Sequence, residues 1–209
     1  MLVVLDGIDG TGKSTQFELI GEKLAQRGIE HKAISFPDYN DPSSIFVKMY
    51  LNGEIEANAY AASSFYAIDR YVSYKNHWES YFKKGTLIIA SRYTTSNLIH
   101  QLPRLPKGEW DAYIKWAEEF EYKKIGLPRP DLVIYLSMPL NISWDLIEKR
   151  GEKRDIHENK DFLTKCKEAG DYVAKKQKWQ TISCGEENEI YDIECINDAI
   201  FHSIEAVIC

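Results

Sequence analysis

Residues 7–14 read Gly-Ile-Asp-Gly-Thr-Gly-Lys-Ser. Glycines, a lysine and a hydroxyl at this spacing make a phosphate-binding loop. Gly7, Gly10 and Gly12 let the backbone curl tightly and turn its N–H groups towards an anion. Lys13 is placed to reach the β- and γ-phosphates of a nucleoside triphosphate, and the Ser14 hydroxyl to help hold Mg²⁺. Asp9 lies among the same N–H groups, where it either stabilises the loop or faces a second substrate beside the transferred phosphoryl group. The chemistry expected is therefore binding of a nucleoside triphosphate, and the rest of the chain decides where its γ-phosphate goes.

The loop works only between a strand and a helix. Leu2-Val3-Val4-Leu5 reads as a buried strand. Over 15–26 the apolar residues Phe17, Leu19, Ile20, Leu24 and Ala25 recur at helical spacing. The N-terminus of that helix adds partial positive charge at the loop. Four more strand-like runs follow, at 32–36, 86–90, 132–136 and 181–183. Their alternation with helical stretches predicts an α/β fold of the P-loop NTPase type: three layers, with a five-stranded parallel sheet flanked by helices. The longest helix is expected from about 57 to 83, a span free of glycine and proline. Its many aromatic residues read as core or interface packing. Further helices are expected at 142–148, 160–176 and 196–207.

In an open parallel sheet, ligands gather at the carboxyl ends of the strands. That marks residues 6–14, Phe36-Pro37-Asp38, Ser91-Arg92-Tyr93 and Ser137. Arg92 suits bidentate phosphate contact. Tyr66 and Arg70 share one helix face and can hold a base and its phosphate. The charged run 149–157, Lys-Arg-Gly-Glu-Lys-Arg-Asp-Ile-His, reads as a mobile lid at about 149–158 that brings Lys or Arg onto the phosphates. Asn159-Lys160-Asp161-Phe162 imitates the guanine-reading N-K-x-D but has its aspartate one place early, so it reads as a helix start.

At 209 residues, 44% apolar and 28% charged, the chain is expected to be a single domain over 1–209 with one sizeable core. Its net charge of −6 argues against nucleic acid as a partner. No apolar run approaches a membrane span. The start has no basic region, and Asp6 interrupts its apolar run, so no signal peptide is read. Cys166, Cys184, Cys195 and Cys209 form no C-x-x-C pair. They read as free thiols of a reducing cytoplasm, where the sequon at Asn141 has no role.

Together these residues resemble the thymidylate kinases, P-loop enzymes that phosphorylate dTMP. The resemblance runs from Leu2 to about Trp179. It is carried by the loop with Asp9, by Phe36-Pro37, by Tyr66-Ala67-Ile68-Asp69-Arg70, by Arg92-Tyr93 with Ser96 and Asn97, by Gly126-Leu127-Pro128-Arg129-Pro130-Asp131-Leu132, and by Lys149-Arg150-Gly151. It implies transfer of the ATP γ-phosphate to dTMP with Mg²⁺, giving dTDP and ADP, by a homodimer formed through helices. ATP would rest on Gly7, Gly10, Thr11, Gly12, Lys13, Ser14, Thr15 and Arg150, with Ser14 on the metal. dTMP would rest on Asp9, Phe36, Pro37, Lys48, Tyr66, Arg70, Arg92, Ser96, Asn97 and Gln101. Catalytic roles would fall to Asp9, Lys13, Arg92, Lys153 and Arg154. Because Gly10 follows Asp9, the resemblance assigns the catalytic cation to the lid.

Two positions depart from the family pattern. Ile156 stands where an arginine is usual, and Ser91 where an aspartate lies near the metal. Serine keeps an oxygen but loses a charge, so activity is expected to survive with weaker Mg²⁺ dependence. The competing readings are a kinase for another nucleotide or nucleoside, and a P-loop switch or hydrolase. The missing N-K-x-D and the basic run oppose the second.

Overall fold

The computed structural model describes residues 1–150, with Arg150 by its backbone alone, and 159–208. Strand β1 (Leu2–Asp6) leads through the glycine loop into helix α1 (Lys13–Gln26), then strand β2 (His31–Ser35). Helices α2 (Ile45–Leu51), α3 (Ala59–Ser73) and α4 (Glu79–Lys83) precede β3 (Leu87–Ser91). Helices α5 (Thr94–His100) and α6 (Trp110–Glu118) precede β4 (Leu132–Ser137). Helices α7 (Leu140–Arg150) and α8 (Lys160–Gln177) lead to β5 (Gln180–Ser183). A hairpin, β6 (Gly185–Glu186) and β7 (Glu189–Ile190), and the closing helix α9 (Ile193–Ile208) complete the described chain.

The five expected strands form one parallel sheet in the order β2-β3-β1-β4-β5. All of β1 and β3 is buried, the mark of strands covered on both faces. Successive side chains of β1 alternate between two cores, as the strand period requires. Leu2 and Val4 pack with Ile88, Trp78 and Tyr93. Val3 and Leu5 pack with Ile20, Leu24, Ile200 and Phe201, under α1 and α9. The register sets Leu5 opposite Ser91, so Asp6 and Arg92 leave the sheet side by side at its carboxyl end.

The expected 57–83 helix is an unbroken run of helical elements from Ala59 to Lys83, with α3 and α4 joined by a π-helical turn at Tyr74–Trp78. Its start moves inward because the Asn58 side chain accepts from the Ala61 N–H at 2.9 Å. The N-K-x-D look-alike is a cap too: Asn159 accepts from the Phe162 N–H at 2.8 Å and starts α8. Among the described residues the cysteines are free, Cys166 and Cys184 buried and Cys195 exposed.

Candidate active site

Local backbone chemistry sets the loop. Gly12, with φ 75°, caps α1 in a left-handed conformation that costs a side-chain-bearing residue about 1–2 kcal/mol. Gly10 shares that φ, and a Cβ there would stand against the Ser143 backbone of α7, 2.9 Å from its carbonyl carbon. Lys13 folds back over the loop, donating to the Ile8 carbonyl and, at 3.4 Å, to Thr11 Oγ1. Ser14 and Thr15, in the first turn of α1, are exposed.

Asp6 at the end of β1 is fully buried. It accepts from the Gly7 N–H at 2.9 Å, from Thr95 Oγ1 at 2.5 Å and from Ser96 Oγ at 2.8 and 2.9 Å. It thus ties the loop to the first turn of α5, and satisfied donors are what make a buried carboxylate tolerable. Arg92 sits between β3 and α5 with φ 64°, and its own N–H is held by the Leu5 carbonyl at 2.9 Å. Its Nη2 donates to Asp9, its Nη1 lies 3.0 Å from His100 Nε2, and Asp6 stands 3.8 Å away. Burial works against the Arg92 charge, but Asp9 and Asp6 outweigh it and hold the guanidinium above its ordinary value.

Beside the loop lies a pocket lined by Asp9, Phe36, Pro37, Tyr39, Leu51, Tyr66, Arg70, Arg92, Tyr93, Ser96, Asn97, His100 and Gln101. Nine of the ten residues assigned to dTMP by resemblance stand in this lining. The tenth, Lys48, is exposed on α2 and outside it. Tyr39, Leu51 and His100 were not singled out from sequence.

In the same lining, Arg70 is 2% exposed and gripped by Glu121, Nε to Oε2 at 2.8 Å and Nη2 to Oε1 at 2.9 Å. Asn97 Nδ2 donates to the same Glu121 at 2.8 Å and to the Ser63 carbonyl at 3.2 Å. Burial pushes the Glu121 carboxyl up, while Arg70 and Asn97 pull it down. Glu121 lies in a second π-helical turn, Glu119–Lys124, that continues α6. Its sequence neighbourhood, Glu-Glu-Phe-Glu-Tyr-Lys-Lys, reads as a solvated helix face and gives no sign of a buried anchor.

Lys153, Arg154, Ile156, the Arg150 side chain and residues 151–158 of the lid expected at about 149–158 lie outside the described residues. Among those described, no cluster of three metal-ligating side chains is found, and no helix is long and apolar enough to cross a membrane. Asp6 is already saturated by its donors and Ser91 is neutral. The exposed Ser14 hydroxyl fits an Mg²⁺ held mainly by phosphate oxygens and water.

Residues 5–193 match the family model for thymidylate kinase. A probable thymidylate kinase of Methanosphaera stadtmanae is 31% identical over 180 residues, covering 85% of this chain and 86% of that protein. A probable thymidylate kinase of Caldivirga maquilingensis is 28% identical over 183 residues, covering 87% and 84%. The solved structure of the thymidylate kinase from Candida albicans superimposes with a TM-score of 0.74, at 22% identity, over 98% of this chain and 91% of that one. That likeness carries the fold, and the family match carries the assignment. The chain belongs to the thymidylate kinase family.

Proposed function

We propose that this chain transfers the γ-phosphoryl group of ATP to dTMP, giving ADP and dTDP. One observation carries the reading: Arg92 touches Asp9 of the glycine loop and lines the acceptor pocket. A monophosphate held there lies next to the phosphates on the loop, and such juxtaposition supplies much of the rate in phosphoryl transfer. The loop N–H groups and Lys13 hold ATP. Lys13 leaves the Ile8 carbonyl for the phosphates, and Arg92 exchanges Asp9 for the acceptor's phosphate. Bound Mg²⁺ neutralises phosphate charge. No general base is required, because the acceptor is already an anionic oxygen.

The pocket residues Tyr66 and Asn97 support a thymine-type base. Tyr66 offers a ring to stack on. Both amide N–H bonds of Asn97 are committed to Glu121 and Ser63, which leaves its carbonyl oxygen for the base. A carbonyl accepts from the N3–H of thymine or uracil and meets only a lone pair on cytosine N3. Thymine over uracil rests on one methyl group, about 1–3 kcal/mol.

The charged run 149–157 would supply the remaining cation from Lys153 or Arg154, within one domain that works in the cytoplasm. The exposed Ile45, Phe46 and Ile68 on α2 and α3 support a homodimer through those helices. ADP formation from Mg-ATP by the purified chain, with dTMP, dUMP, UMP, CMP, GMP, thymidine or no acceptor, tests the reading. Formation only with dTMP, matched by dTDP, supports it. Transfer to another acceptor keeps the mechanism and overturns the substrate. Equal turnover without any acceptor makes the chain a hydrolase or switch.

A further inference from the structure

His100 ends α5 at the pocket wall, and its two ring nitrogens face different partners. Nε2 lies 3.0 Å from Arg92 Nη1. An arginine nitrogen only donates, so Nε2 must be the unprotonated, accepting atom. The neutral ring then carries its proton on Nδ1, which lies 3.7 Å from Cys166 Sγ on α8. Cys166 is 1% exposed, and burial pushes its thiol well up. The sulfur is therefore a neutral acceptor for Nδ1–H. The two contacts agree on one tautomer and fix the plane of the ring.

Around the guanidinium, Asp9 is the anionic partner, the one that competes with a bound phosphate for the same cation. Asp6 is 3.8 Å off and already accepts from Gly7, Thr95 and Ser96. His100 is a third contact of the same guanidinium. Being uncharged, it does not compete with the phosphate for the arginine.

We propose that His100 is a positioning residue for Arg92: its neutral ring, protonated at Nδ1 against Cys166, accepts from Nη1 and keeps the guanidinium aimed at the acceptor's phosphate after that phosphate has displaced Asp9. The proposal rests on the dTMP reading for its kinetic consequence, but not for the tautomer.

Two measurements on the full chain test it. In the free protein, ¹⁵N shifts of the His100 imidazole near neutral pH report which nitrogen carries the proton. Protonated Nδ1 with bare Nε2 is expected, and protonated Nε2 overturns the proposal whatever the acceptor is. Steady-state kinetics then compare His100→Leu with His100→Gln, whose amide oxygen restores an acceptor. His100→Leu is expected to lower kcat/KM for dTMP about tenfold or more, the scale of a hydrogen bond to a charged group, with KM for ATP unchanged. His100→Gln is expected to recover most of the loss. Equal losses in both variants, or no loss in His100→Leu, sink the proposal. A misfolded His100→Leu leaves the tautomer and the His100→Gln rate as the deciding results. A wild-type chain that phosphorylates another monophosphate overturns the substrate assignment alone, and the same comparison is then run with that acceptor.

Discussion

The pocket holds two arginines under opposite regimes. Arg70 is gripped in two places by Glu121, itself held by Asn97, and all three are buried. Arg92 has 21% of its side chain exposed, and its partners are a loop carboxylate and a histidine. The first arrangement is a fixed wall. The second is the contact that the proposed reaction would exchange, because Asp9, 27% exposed, could give way to a phosphate without leaving a buried charge uncompensated. The two guanidinium groups thus differ in how completely the protein satisfies them, and not in residue type.

The largest effect should come from Arg92→Ala. We expect a loss of about 10³-fold in kcat/KM, read by coupled ADP formation, with only a modest change in melting temperature. Glu121→Ala should do the reverse, leaving Arg70 buried without its partner at about 3–5 kcal/mol of stability, read by chemical denaturation. If both variants lose stability equally, the contrast between wall and exchangeable contact fails. Asn97→Ala sharpens the wall's role: the preference for dTMP over dCMP should narrow by about tenfold or more as the accepting carbonyl is lost, while KM for ATP stays put.

Smaller effects probe the edges of the comparison. Ser91→Asp restores a charge near the loop, and the Mg²⁺ concentration giving half-maximal rate should shift by a few-fold. An unchanged Mg²⁺ requirement counts against the inferred role of position 91. Asp41 lies outside the pocket, and its bond to His77, with help from Ser43, holds its carboxyl down to about 2. A lowered carboxyl stabilises the fold above its unfolded value of 3.8, and that contribution is lost as pH falls towards 2. Asp41→Asn should therefore flatten the acid limb of melting temperature against pH in that interval, by a small amount for so exposed a pair.

The loop, the five strands and Arg92 were legible because their signals are local: a glycine-lysine-serine spacing, short apolar runs, an arginine after a strand. Boundaries slipped by a residue where ladder hydrogen bonds, rather than apolarity, end an element, as at β3, which runs to Ser91 and not Ala90. The 185–190 hairpin was missed because each of its strands is only two residues long. Glu121 was invisible for a deeper reason. It meets Arg70 across 51 positions, and nothing around it distinguishes a buried carboxylate from a surface one. His100 likewise acquires meaning only from the length of α5, which carries it back over Arg92.

The contact between Gly10 and Ser143 has a mechanical consequence. Two backbones pressed together have no rotamer with which to absorb a displacement, and packed interiors transmit strain. Any shift of the loop at Gly10 is handed undamped to α7, a rod of 11 residues and therefore roughly 16 Å long, with Arg150 at its far end. The missing methyl group at position 10 makes the nucleotide loop the short arm of a lever.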